Sequence, residues 1–239
     1  MKKIIAIGDI HGRTVWKNIV QQHEDADRII FVGDYFDAPW EKRQLGSFGV
    51  EELANFNEIL KFKFDRPDQV VLLLGNHDYH YLPGLQTSGC SGFQLQMRPL
   101  ISRVLQKAIN RNAIKWVHQE DGYLFSHAGV TQKWMALVGV EDVEEINGLG
   151  AEKFDYNSEY DFSGYGQSEY QTPIWVRPDS LIANRYDGCV QVVGHTPQQN
   201  GIDSVDGVHF IDGLSKGQYL MILNGVPHCM QINLETVEI

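Results

Sequence analysis

Residues 3–12 read KIIAIGDIHG. Four apolar residues, Ile4 to Ile7, meet a glycine and then two side chains able to bind metal, Asp9 and His11. A short apolar run that stops at glycine predicts a strand buried on both faces. The arrangement returns four times. Arg28–Val32 leads into GDYFD (33–37), Gln69–Leu74 into GNHD (75–78), Tyr123–Ser126 into SHAG (126–129) and Val190–Val193 into GHT (194–196). In open α/β sheets, ligands gather beyond the carboxyl ends of the strands. Five such turns side by side therefore predict one shared site, and glycine lets the backbone bend and approach closely there.

Outward from these turns, Thr14–His23 predicts a helix. Phe48–Phe64 predicts a second, with apolar Val50, Leu53, Phe56, Leu60 and Phe64 at helical spacing and Pro67 just beyond its end. A third is expected near Gln94–Asn110. Ala113–Val117 and Tyr123–Ser126 read as consecutive strands, 131–153 as helical, and 154–172 as a polar loop rich in aromatics. Gly207–Ile211, Gln218–Leu223 and Pro227–Leu234 read as closing strands, with Asn224-Gly225 as a hairpin turn. Strands alternating with helices, then hairpins, predict a layered α/β fold, mixed sheets inside and helices outside. A length of 239 residues without repeats or linkers suits a single domain over 1–239.

The formal net charge of −11 argues against stable nucleic-acid binding through phosphates alone. The three cysteines, Cys90, Cys189 and Cys229, form no CxxC pair, which predicts a reducing compartment. The apolar run at Ile4–Ile7 is too short for a signal-peptide core, and no stretch approaches the roughly 20 apolar residues of a membrane span. The expectation is a soluble, cytoplasmic protein without a membrane partner. Its oligomeric state is not legible.

The side chains in the five turns are hard or borderline donors. Asp9 and Asp34 offer carboxylates, Asn76 a neutral carbonyl, and His11, His127 and His195 imidazoles, with no sulfur among them. That mixture suits Mn²⁺, Fe, Zn²⁺ or Mg²⁺ and disfavours thiolate chemistry. Each turn alone has a plainer reading as a helix-capping loop; the five together favour a metal site.

The ordered set GDIHG, GDYFD, GNHD, SHAG, GHT resembles the calcineurin-like metallophosphoesterases. The match is best with the phosphoprotein-phosphatase branch, which includes bacterial and phage serine/threonine phosphatases and symmetrical diadenosine tetraphosphatases. The resemblance implies an α/β/β/α sandwich and two divalent metal ions, with Mn²⁺ first in order of expectation. It implies Asp9 and His11 on one metal, Asn76, His127 and His195 on the other, and Asp34 bridging both. It implies His77 as proton donor to the leaving alkoxide, with Asp37 hydrogen-bonded to it, and in-line attack by a metal-bridging hydroxide.

The family often follows its second motif with Arg-Gly; here Ala38 and Pro39 stand there. The expected phosphate contacts are then Arg177 in IWVRP (174–178), Arg13 directly after GDIHG, and Asn76. Trp40, Lys42 and Arg43 are further candidates by position alone. The expected substrate is a phosphomonoester, phosphoserine or phosphothreonine in proteins, or another small phosphoester. The alternatives are a nucleotide hydrolase of the diadenosine tetraphosphatase type, a phosphodiesterase, or a non-catalytic scaffold. The complete set of candidate ligands, together with His77, weighs against a scaffold.

Overall fold

The computed structural model describes residues 1–38, 48–85 and 89–234; Trp40, Lys42 and Arg43 lie outside these. Eleven strands are found among the described residues, β1 (Lys3–Ile7), β2 (Arg28–Phe31), β3 (Val70–Leu73), β4 (Ile114–Lys115), β5 (Val117–Glu120), β6 (Tyr123–Ser126), β7 (Val190–Val193), β8 (Asp203–Val205), β9 (Val208–Phe210), β10 (Gln218–Leu223) and β11 (Val226–Gln231). The helices are α1 (Trp16–Gln22), α2 (Phe48–Asp65), the one-turn α3 (Asn76–Tyr79), α4 (Arg98–Asn110), α5 (Gln132–Val138) and α6 (Pro178–Asn184).

The strands form two mixed sheets. The first has the order β11-β10-β1-β2-β3-β4, with β1 through β4 parallel. The second has the order β5-β6-β7-β9-β8, parallel across β6, β7 and β9. Side chains alternate across a strand, and here both faces are apolar. Ile4, Ala6, Ile30, Val32, Val71 and Leu73 of the first sheet pack with Tyr123, Phe125 and Val192 of the second. Their neighbours Ile5, Ile7, Ile29, Phe31, Val70 and Leu72 pack against Trp16, Ile19, Phe56, Ile59, Ile101 and Leu105 of α1, α2 and α4. The outer faces of the second sheet are covered through Leu124 with Trp134 of α5, and through Val193 and Phe210 with Leu181 of α6. The layers run helix, sheet, sheet, helix, as expected. Each fully buried Ile or Phe here contributes about 1.5–3 kcal/mol.

Several expected elements differ. The segment 113–117 is two strands, because the chain leaves the first sheet after Lys115 and enters the second at Val117. Asn147 Oδ1 accepts both N–H groups at the break, Trp116 at 3.0 Å and Val117 at 3.2 Å. The helical stretch 131–153 is α5 followed by two 3-10 turns (Val143–Gly148 and Ala151–Phe154). Gly139, left-handed at φ 75°, stops α5, and Asp142 caps the next turn by accepting the Glu144 N–H. Elements absent from the sequence reading include the one-turn α3, the strand β8, whose three residues are all exposed and lack an apolar period, and α6, which starts at a proline beyond the loop read over 154–172. The expected hairpin turn is present, with Asn224 and Gly225 both at positive φ (51° and 78°) between β10 and β11.

Candidate active site

Each motif sits just past a parallel strand. Asp9 follows β1, Asp34 follows β2 and Asn76 opens α3 after β3; His127 and His195 follow β6 and β7 of the other sheet. The carboxyl edges of the two sheets thereby meet. The turns pass so closely that side chains are excluded at several points. A Cβ on Gly75 would lie 2.1 Å from Asp34 Oδ1, and one on Gly194 would lie 2.0 Å from Asp9 Oδ1. Among the described residues, His11 (φ 42°), Asp34 (51°), Asp37 (61°) and His195 (65°) are left-handed without being glycine. Such backbone costs roughly 1–3 kcal/mol per residue and persists where the surroundings enforce it, most often at functional sites.

Asp34 occupies the centre. Its Oδ2 lies 3.4 Å from His127 Nε2 and 3.7 Å from His11 Nε2. Two groups of possible metal ligands, each with donor atoms within 4.8 Å of one another, share it: Asp9, Asp34 and His127, and His11, Asp34 and His77. Neither group holds Asp9 and His11 together. His127 Nδ1 is 2.9 Å from the Val32 carbonyl and His11 Nδ1 is 2.7 Å from that of Phe36. A proton on the His11 Nδ1 leaves its Nε2 as a bare lone pair turned toward Asp34, and the same anchoring of His127 aims its Nε2 at that carboxylate. Asn76 Oδ1 lies 2.9 Å from both His127 Nε2 and His195 Nδ1.

Lone pairs therefore converge here without enough protons to separate them. Among the described residues, the buried Asp9 carboxylate receives one donor, the His195 N–H, shared between its oxygens at 3.0 and 3.1 Å, and the buried His195 Nε2 has no partner. The electrostatics reflect the crowding. Burial pushes Asp9 well above the carboxylate range, with Asp212 adding to the effect. Burial lowers His11 to about 4 and holds His195 far below its ordinary value. Burial opposes charge on Asp34 and His127 alike, yet their mutual attraction wins. Asp34 is held well below the usual range and His127 is raised to about 9. A buried set of O and N donors with unmet acceptors fits divalent cations.

His77 lies at the edge of this set. Its Nδ1 is 3.0 Å from Asp37 Oδ2, and its ring meets that of His11 edge-on at 5.0 Å. Burial disfavours its charged form, but Asp34, Asp37 and Cys90 outweigh that and raise it well above the ordinary histidine value. Tyr81 Oη donates to Asp37 Oδ1 at 2.6 Å, leaving Oδ2 for His77.

Arg177, the N-cap of α6, donates from Nη1 to Thr196 Oγ1 (3.0 Å) and from Nε to the Tyr165 carbonyl (2.9 Å). These bonds fix the guanidinium beside His195 and leave Nη2 without a partner among the described residues. Arg13 is half-buried, donates to the Ile10 carbonyl at 3.3 Å, and feels the charges of Asp212 and Asp9. It is not a solvent-facing helix-start residue.

Three residues escaped the sequence reading. Asp78, fully buried, accepts the N–H groups of Gly75, Asp34 and Tyr35 and so ties two motif turns together. Glu52 of α2 accepts the Asp37 and Ala38 N–H groups at 3.0 and 2.9 Å, fixing the turn where the family's Arg is missing. Asp212, after β9, is raised to about 6 by burial and by Asp34 despite Arg13 nearby. Asp78 was legible as the last letter of GNHD; Glu52 carried no local signal. Three of the remaining histidines have structural partners. His23 meets Tyr219 Oη at 2.8 Å, His118 pairs with Glu120, and His80 packs on Trp175. The aromatic stretch divides. Phe154 stacks on Trp116 and Tyr156 bonds Asp161, whereas Phe162 and Tyr165 stand 97% and 72% exposed.

Comparison with known proteins agrees with this architecture. A symmetrical bis(5'-nucleosyl)-tetraphosphatase of Chromobacterium violaceum is 27% identical over 63% of this chain, and one of Burkholderia thailandensis is 28% identical over 59%. The chain spans about half the length of these relatives, 52% and 47%. A protein serine/threonine phosphatase from Saccharomyces cerevisiae with similarity to human phosphatase PP5 superposes with a TM-score of 0.58. It is 12% identical and covers 97% of this chain and 80% of its own, a likeness of fold. No helix among the described residues is long and apolar enough to cross a membrane. The calcineurin-like phosphoesterase model matches residues 2–225, motifs included, and the chain belongs to that family of phosphoester hydrolases.

Proposed function

We propose that this chain is a phosphatase using two divalent metal ions and that its substrates are phosphorylated small molecules of the nucleotide class. One observation carries the reading, the placement of Asp34 Oδ2 between His127 Nε2 and His11 Nε2 in two overlapping donor groups. Asp9, His11, Asp34, Asn76, His127 and His195 would hold the cations, three oxygen and three nitrogen donors compatible with Mn²⁺, Fe, Zn²⁺ or Mg²⁺, with Mn²⁺ first in order of expectation from the family resemblance. Cations bound there supply a water acidic enough to ionise near neutral pH and neutralise charge on the phosphoryl oxygens.

The chain's own groups do the rest. Arg177 presents Nη2 to the phosphoryl group, and Arg13 and Asn76 contribute further contacts. His77 carries a proton on Nε2 and hands it to the leaving oxygen, while Asp37 holds its Nδ1–H and favours the charged imidazole. Tyr165, whose carbonyl takes the Arg177 Nε–H, and Phe162, three residues before it, are exposed and offer π-faces for a nucleobase. The relatives named for nucleotide hydrolysis point the same way. Phosphoserine or phosphothreonine in proteins is the second reading, and its support is the open, partly exposed Arg177 side of the site. The free cysteines suit a reducing, cytoplasmic setting. A panel of mononucleotides, dinucleoside polyphosphates, phosphopeptides and phosphodiesters, assayed with Mn²⁺, tests the proposal. Faster kcat/KM on phosphopeptides than on every nucleotide would overturn the substrate class.

A further inference from the structure

Beside the cluster around Asp34 lies a second triangle of donor atoms, of which the phosphatase reading uses only His77 and Asp37, as an acid and its support. Cys90 Sγ is 3.0 Å from His77 Nδ1 and 3.5 Å from Asp37 Oδ2, and His77 Nδ1 is 3.0 Å from that same oxygen. We propose that Asp37, His77 and Cys90 form a separate site for a thiophilic divalent cation such as Zn²⁺ or Cd²⁺, and that filling it inhibits hydrolysis. The inhibitory half rests on the reading of His77 as proton donor.

The geometry suits such an ion. Zinc binds sulfur at about 2.3 Å and nitrogen or oxygen at about 2.0–2.2 Å, so tetrahedral ligand atoms lie about 3.3–3.5 Å apart. The three observed separations need to change by no more than about 0.5 Å to match. Tyr81 already occupies Asp37 Oδ1, so Oδ2 is the oxygen left to turn toward a cation. The triangle is reachable, because Cys90 is half-buried and the His77 side chain is 15% exposed, and water can take the fourth position.

The chemistry separates this triangle from its neighbour. The five motif turns supply only oxygen and nitrogen, which suit Mn²⁺ and Mg²⁺. Cys90 adds sulfur, which selects Zn²⁺ or Cd²⁺ over those ions. Two preferences thus stand side by side, sharing His77 as their border. On binding, the thiol proton of Cys90 and the Nδ1 proton of His77 pass to solvent as sulfur–metal and nitrogen–metal bonds form. The Nδ1–H···Oδ2 hydrogen bond is lost. An imidazole with a cation on Nδ1 keeps its Nε2 proton, but as a neutral ligand it releases that proton far less readily than an imidazolium does, and so it is a poor acid near neutral pH.

The test uses the full chain loaded with Mn²⁺ and carrying Cys229→Ser, which removes the exposed thiol. Cd²⁺ is titrated against this protein and against the same protein with Cys90→Ser, with Cys90→Ala as a second variant. Two signals are followed, the ultraviolet thiolate-to-cadmium charge-transfer band and the turnover of an alkyl phosphate. The expected result is a band that saturates at one equivalent only when Cys90 is present. It is accompanied by a fall in turnover of about a hundredfold, the usual worth of a general acid. A band of equal size with and without Cys90 overturns the site. A Cys90-dependent band without loss of turnover supports the site, and overturns both its inhibitory effect and the role of His77.

Discussion

The Asp78 carboxylate holds Asp34 by its backbone, accepting the Asp34 N–H on Oδ2 at 2.8 Å. The same oxygen takes the Gly75 N–H at 2.9 Å, and Oδ1 takes that of Tyr35 at 2.8 Å. Two turns from different strands are thereby locked in register by one buried side chain. Asp78→Asn replaces one acceptor with an NH2 facing an N–H, and an unmet buried donor costs about 1–3 kcal/mol. The variant should melt several degrees lower and turn over more slowly in the same preparation. Wild-type melting and turnover would mean that these turns hold themselves.

Asp34→Asn should leave the fold intact and remove the anion both donor groups share. Loss of residues behind metal ligands commonly costs about 10–100-fold, so a shared ligand should cost more. Elemental analysis should show both metals depleted alongside the lost rate. Full metal content with full activity would sink the central role given to Asp34.

His77→Asn should slow phosphate esters with alkyl leaving groups by about 10²–10⁴-fold, the range for general acid catalysis. p-Nitrophenyl phosphate, whose leaving group needs no proton, should lose far less. Equal losses on the two substrates would remove His77 from proton transfer.

Tyr165→Ala and Phe162→Ala should raise KM for nucleotide substrates and leave p-nitrophenyl phosphate unaffected, since both side chains lie in solvent away from the main core. A base–aromatic stack is worth about 1–3 kcal/mol, or roughly 5–150-fold in KM. Unchanged nucleotide KM in both variants would withdraw the proposed base contact.

Much of this was legible because strand and site share one signal. In Ile4–His11 the same residues that bury a strand also announce its end, so β1, β7 and β10 were placed to the residue. Asp9, His11, Asp34, Asn76, His127 and His195 were placed in one constellation. What the sequence hid depends on distance. Glu52 reaches Asp37 and Ala38 from the middle of α2, and no local pattern marks a helical glutamate as a loop clamp. The exposed strand β8 shows no apolar period because it pairs only at a sheet edge. The break at Trp116 was invisible because its cap, Asn147, lies 31 residues onward.

Away from the site, Glu120 joins the ends of several elements. It accepts from Arg28 at 2.7 and 3.0 Å and pairs with Lys2 at 2.8 Å, while His118, kept neutral by burial, donates from Nε2. Burial alone would raise its carboxyl, but these partners bring it down to about 2. A depressed carboxyl contributes stability that is complete above its unfolded value of about 4.3 and fades as pH falls toward about 2. Denaturant midpoints measured from pH 6 to pH 3 should drop less in Glu120→Gln than in the parent. Parallel slopes would show that Glu120 is not linked to folding.

The strand that delivers Asp9 also sets a timetable. On one side β1 lies beside β2, formed from nearby sequence. On its other side it pairs with β10, Lys3 against Leu223. During synthesis, at about 5–20 residues per second, that flank has no neighbour until more than 200 further residues have been made. For all that time the nascent chain carries an open edge of Ile and Ala, the kind of surface on which other strands nucleate. The residue that opens the catalytic motif series therefore rides on the first strand made, which stays half-open until nearly the end of the chain, and helpers that shield the nascent chain would have a large effect there.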